Sequence, residues 1–157
     1  MEFYYVETDY VDYLRTFEFK VLQNKENNFQ RPYVGVITTL NGIKYIIPLA
    51  SPRGRFVTNK QQFHRVMDGS TLIGVLKFNN MIPVRDELIQ WIDFNTVSDQ
   101  AYKALLQKEY VFIKGIQTQI EGKALQYRNT IWNSNEFFTS ISNDFSLLEQ
   151  KMPLYVK

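Results

Sequence analysis

A chain of 157 residues, 45% apolar and 22% charged, has the size and make-up of one globular domain (1–157) with room for a real core. It holds no cysteine, which excludes disulfides, thiolate metal sites and cysteine nucleophiles, and fits a reducing cytoplasm. A net charge of +2 does not by itself announce a polyanion partner, so a nucleic-acid site would have to come from how the charges are placed.

Residues 3–6 read as a short aromatic strand. Thr8 is the expected N-cap of a helix over 9–17, where Tyr10, Tyr13, Leu14 and Phe17 recur at helical spacing. Residues 18–32 carry Gln, Asn, Lys and Glu with little periodicity and are expected to be a mobile loop. Two β-rich runs then flank Asn41-Gly42, the dipeptide of a two-residue hairpin turn. The second run passes through Pro48, which lacks an amide donor and suits a strand end, into Leu49-Ala50-Ser51-Pro52-Arg53. An irregular loop over 52–59, a short strand over 63–67 and a clearer strand over 72–78 follow. Residues 87–94 fit strand and helix about equally, and strand is taken. The second half is helical: a helix from Ser98-Asp99 to about Lys114, an interruption at Gly115, and a continuation to about Trp132. A polar connector over 133–142 leads to a last helix, over 145–151, capped by Asn143. Strands first and helices after predict an α+β fold, an antiparallel sheet flanked by helices.

The single histidine, His64, excludes two-histidine acid/base pairs and histidine metal clusters within one chain. Phosphate-binding glycine loops and the paired spacings of metal-binding carboxylates are also absent. No apolar run approaches the roughly 20 residues of a membrane span, and the first residues lack the features of a signal peptide. The expectation is a cofactor-free protein with no membrane segment. Arg31, Arg53, Arg55, Lys60, His64 and Arg65 fall in one region that has no acid until Asp68. That region reads either as a solvated basic face or as a path for a phosphate backbone. The 15% aromatic content reads either as core packing or as platforms for bases. Ser51 leaves a stiff hairpin together with Arg53, and no glycine elbow surrounds it, so triad hydrolysis is disfavoured. A hydroxyl beside guanidinium groups suits phosphoryl transfer on RNA, whose own 2′-hydroxyl is the nucleophile. Plain turn chemistry is the alternative for Ser51-Pro52.

Several stretches, in order, resemble the ToxN/AbiQ endoribonuclease toxins of type III toxin–antitoxin and abortive-infection systems. They are Met1-Glu2-Phe3-Tyr4, Arg31-Pro32-Tyr33-Val34-Gly35-Val36, Tyr45-Ile46-Ile47-Pro48-Leu49-Ala50-Ser51-Pro52-Arg53, Asn79-Asn80-Met81-Ile82-Pro83-Val84, the helix from Tyr102, and Asn143-Asp144-Phe145. The resemblance implies a strongly twisted antiparallel sheet similar to the compact barrels of MazF- and Kid-type toxins. It implies metal-independent cleavage of adenine-rich RNA that leaves 2′,3′-cyclic phosphate ends. It implies a phage-defence role and a repeat RNA antitoxin, folded as pseudoknots, processed by the toxin and bound with it in closed protein–RNA rings. Ser51 falls at the family's catalytic serine, Arg53 at the basic position two residues on, and Arg31 near its lysine. Two departures stand out: Ala50 replaces a frequent threonine, and Phe29 falls near an active-site tyrosine. Phe29, Tyr33, Arg55, Lys60, His64, Arg65 and Lys77 are the expected RNA contacts, with Asn79 and Asn80 as readers of a base edge or ribose or as turn caps. The alternative is a non-catalytic RNA-binding module on the same fold.

Overall fold

The computed structural model describes residues 1–26, 28–53 and 56–157. Its centre is the hairpin of β4 (Tyr33–Thr38) and β5 (Lys44–Ala50), with β1 (Glu2–Val6) antiparallel to β4. Side chains alternate across these strands. Phe3, Val34, Ile47 and Leu49 face one core, and Val6, Tyr33 and Ile46 face another. The first core is closed by Leu106 and Ile113 of α2 (Gln100–Gly115) and Ile120 and Ala124 of α3 (Gln117–Gln126). Tyr10, Val11 and Leu14 of α1 (Thr8–Arg15), with Leu148 of the last helix, close the second.

The main sheet runs β6 (Phe63–Asp68), β7 (Thr71–Lys77), β5, β4, β1, β9 (Ile89–Trp91), while β8 (Ile82–Val84) pairs with β5 beside this path. β5 therefore changes partner along one edge: Lys44, Tyr45 and Ile46 pair with β8, and Leu49 and Ala50 pair with β7. Pro48 sits in the gap, where a missing amide donor costs nothing. Among the described residues no ladder joins β6 to β9. The sheet is open, so the expected MazF/Kid-like barrel is not closed here.

The α+β class and the helical second half agree with expectation, and local differences have local causes. Thr8 is the first helical residue of α1, and Glu7 holds the cap position with no side-chain bond. The hairpin loop spans 39–43 rather than two residues; Gly42 supplies the positive φ of +81°, and the Thr39 amide closes the loop on the Ile43 carbonyl at 2.9 Å. The described residues of 18–32 are tied down through the paired β2 (Lys25–Glu26) and β3 (Phe29–Gln30) and the buried Val21 and Asn24. The 87–94 segment is strand only over β9, between short 3-10 turns at Asp86–Leu88 and Phe94–Thr96. The polar connector folds into α4 (Glu136–Ile141), capped by Asn135. Asp144, not Asn143, caps α5 (Phe145–Lys151) through the Leu147 amide at 3.0 Å. Asn143 is buried and donates to the Met81 carbonyl at 3.0 Å.

Candidate active site

Where β5 ends, its last residues are held on two sides. Leu49 and Ala50 pair with Leu76 and Val75 of β7, and the Leu49 amide reaches the Pro32 carbonyl at 3.1 Å. The next amide, Ser51 N–H, donates to Glu26 Oε1 at 2.7 Å. The other carboxylate oxygen of Glu26 receives Arg31 Nη1 at 2.6 Å. Arg31 Nε and Nη1 also donate to the carbonyls of Gln23 (2.9 Å) and Leu49 (3.2 Å). Glu26 thus clamps the serine corner to a buried guanidinium, and the side chains of both partners are at most 14% exposed. Charge-assisted bonds in so dry a setting are short and directional.

Ser51 lies on the wall of a cleft of about 610 Å³. Arg15, Lys20, Lys25, Arg31, Arg53 and Lys77 line it, with Glu26 as its one acid among the described residues. Phe19 stands in this cleft 79% exposed, with the Lys20 ammonium 5.6 Å from its ring centre. Arg53 is exposed, consistent with a loop-tip side chain.

Cross-strand partners share a face of the sheet. Phe63 opposite Lys77, and Arg65 and Ala50 opposite Val75, lie on the cleft's face. His64 and Leu49 pair with Leu76 on the reverse face, toward the helices. His64 is accordingly buried, its Nδ1 2.8 Å from the Arg65 carbonyl, its Nε2 3.3 Å from Asn59 Nδ2 and its ring 6.2 Å from Phe112. Burial, with Lys123 nearby, pushes its pKa down against the pull of the Arg65 carbonyl. It is turned away from the serine corner, and the expected basic patch is split between two faces. Lys60 is exposed outside the cleft lining, Arg65 is half-buried, and Arg55 lies outside the described residues.

Three other expected RNA contacts occupy structural positions. Tyr33 is fully buried, with its pKa pushed up to about 12 mainly by desolvation, so neither ring face is open to a base. Asn79 Nδ2 donates to the Ile141 carbonyl at 2.7 Å. Asn80 Nδ2 donates to the Lys20 carbonyl at 3.0 Å and thereby fixes the cleft wall. Both asparagines are buried, which leaves them no edge to offer a ribose. Phe29 stacks on Tyr102 with centroids 3.9 Å apart and planes 12° from parallel, which commits one of its faces.

Behind Ser51 the chain encloses a second, smaller pocket of about 130 Å³, lined by Glu26, Phe29, Ser51, Tyr102 and Glu109. Glu109 is 4% exposed, and its pKa is pushed up to about 8, first by burial and then by the charge of Glu26. A Cβ on Gly74 would overlap Glu109 Oε2, so the strand has a notch where the carboxyl rests. Sequence reasoning missed Glu26, whose link to Ser51 spans 25 positions and leaves no local trace. It also passed over Glu109, although an acid in the apolar stripe of α2 was a readable signal.

Comparison with known proteins gives a consistent answer. A family model described as "Toxin ToxN, type III toxin-antitoxin system" matches residues 2–153. The chain is 32% identical over 162 residues to endoribonuclease ToxN of Bacillus thuringiensis subsp. kurstaki, covering 98% of this chain and 84% of that protein. It is similar to a solved type III toxin selectively inhibited by a non-coding RNA pseudoknot, with a TM-score of 0.88, 34% identity, and 98% and 96% of the two chains covered. It is similar also to AbiQ, a lactococcal anti-phage endoribonuclease, with a TM-score of 0.80, 30% identity, and 98% and 96% covered.

Proposed function

The chain belongs to the ToxN toxin family of type III toxin–antitoxin systems, and from that premise we propose that it cleaves adenine-rich RNA at the Ser51 corner without a metal ion. In its coarser form the activity is that of an endoribonuclease toxin paired with an RNA antitoxin. The 2′-hydroxyl of the nucleotide before the cut attacks the adjacent phosphorus, the P–O5′ bond breaks, and a 2′,3′-cyclic phosphate and a 5′-hydroxyl remain. The protein's share is alignment and charge stabilisation. Ser51 holds a non-bridging oxygen, Arg53 and Lys77 draw the phosphate into the cleft, and Arg31 acts from beneath through Glu26.

One observation carries this reading: the serine amide is clamped by a buried ion pair at the wall of a cleft lined by cations. Rigid support under a short polar loop is what precise phosphate alignment needs. Repeat RNA folded as pseudoknots is both a substrate and, after processing, the inhibitor that fills the cleft, with closed protein–RNA rings as the assembled form. Phage defence in the cytoplasm is the setting. Among the described residues no helix is long and apolar enough to cross a membrane.

The test is incubation of an adenine-rich oligonucleotide with purified protein in EDTA. Cyclic-phosphate products that disappear with Ser51→Ala support the proposal. Binding without cleavage would make the chain an RNA-binding module, and full turnover by Ser51→Ala would remove the serine from the chemistry.

A further inference from the structure

We propose that Glu109, in the small pocket behind Ser51, is a positioning residue that keeps its proton so that Glu26 can hold the Ser51 amide, and that losing the proton releases the corner and stops cleavage. This rests on the Ser51 reading above and deepens it.

The geometry has three parts. Glu109 projects from α2 into an otherwise apolar stripe and is 4% exposed. The strand beneath it is notched at Gly74, where a side chain would collide with the carboxyl and come within 3.4 Å of Leu49 Cδ1. The pocket that holds it is the one shared by Ser51 and Glu26. An acid in that place faces a second carboxylate already engaged with Ser51 N–H and Arg31.

Two carboxylates close together in a dry pocket do not both ionise freely, and burial penalises the charged form further. The titratable groups around the pocket are Glu26 from β2, Tyr102 from α2 itself, Arg31 paired with Glu26, and Tyr5 of β1, which acts on Tyr102. β5 and β7 contribute only Leu49, Ala50 and Ile73 to the lining, and Ser51 follows β5; none of these titrates near neutrality. Glu26 has its cation, and Glu109 has only the pressure of burial and of Glu26, which moves its pKa to about 8. Neutral Glu109 leaves the clamp intact. Once ionised, it repels Glu26 across the shared pocket and draws water in, and the Ser51 amide loses its acceptor.

The experiment compares wild type, Glu109→Gln and Ser51→Ala on the adenine-rich oligonucleotide from pH 5.5 to 9. In wild type, kcat should fall above about pH 8, by about tenfold per unit for a single ionisation, with KM changed less than twofold. Glu109→Gln should keep neutral-pH kcat and lose that alkaline fall. In parallel, the Ser51 amide resonance in ¹H–¹⁵N spectra of wild type should titrate with the same midpoint, and in Glu109→Gln it should not. Glu109→Met keeps the volume and serves if the glutamine variant fails to fold. An alkaline fall that persists in the folded variant, or a Ser51 amide that ignores pH, overturns the proposal. Undiminished cleavage by Ser51→Ala would instead overturn the site itself, so the two failures are distinct.

Discussion

Replacing Glu109 by glutamine should stabilise the protein, and by an amount that grows with pH. An unfolded glutamate titrates near 4.5, whereas folded Glu109 holds its proton to about 8. Between those values the folded chain binds one more proton than the unfolded chain, so stability falls as pH rises, by about 1.4 kcal/mol per unit. Below pH 4.5 the effect is absent; above 8 it is complete. From pH 5 to pH 8 the wild type should lose roughly 3 kcal/mol that the glutamine variant keeps, a large part of the 5–15 kcal/mol typical of a whole domain. Glutamine matches the protonated carboxyl in shape, so the two proteins should be nearly equal at pH 5 and diverge steadily. Urea denaturation of both at pH 5, 6, 7 and 8, with slopes checked for equality, measures the divergence. A stability gap that is constant over this range would refute the buried, proton-holding carboxyl.

Three further outcomes follow from the same geometry. Glu26→Ala should destabilise the fold by about 3 kcal/mol in urea titrations, because it strands a buried guanidinium, and kcat should fall with it. Phe19→Leu should leave the melting temperature unchanged and raise KM about tenfold, the loss of one stacked base on an exposed ring in the cleft. Lys77→Gln should weaken RNA binding whatever the sequence and flatten its salt dependence by about one counterion, read as the slope of log K against log salt.

What the sequence made legible was what adjacent residues decide. The hairpin around Asn41-Gly42, the polar corner after Pro48 and the α2 break at Gly115 are short-range consequences of backbone preference, and the structure agrees with them except that the hairpin loop runs over five residues instead of two. The 18–32 stretch was illegible because its order comes from elsewhere. Asn24 donates to the Val6 carbonyl at 2.8 Å, Gln30 to the same carbonyl at 2.9 Å, and Arg31 to Gln23 and Leu49, bonds with no periodicity to detect. Polar composition marks mobile loops and loops pinned by side-chain bonds equally. His64 failed differently: the basic cluster was read along the chain, whereas β6 sends neighbouring residues to opposite faces, and only strand parity separates His64 from the cleft side.

That distinction bears on how a cleft for a polyanion can carry one acid in its wall and a second in the pocket behind it. Two carboxylates next to a scissile phosphate would repel it, and a site built only for attraction would exclude both. Glu26 is admissible because Arg31, 2.6 Å away, balances its charge on the cleft side while its second oxygen grips Ser51 N–H. Glu109 is admissible because burial, helped by the charge of Glu26, favours its protonated form. With Glu26 paired and Glu109 buried, the field at the corner belongs to cations of the cleft lining such as Arg53, Lys77 and Lys25, while Lys20 stands 3.4 Å from Glu18. The acids act on the protein and the cations on the RNA, so a change in either acid should appear in kcat and its pH dependence, and a change in a cation in binding and its salt dependence.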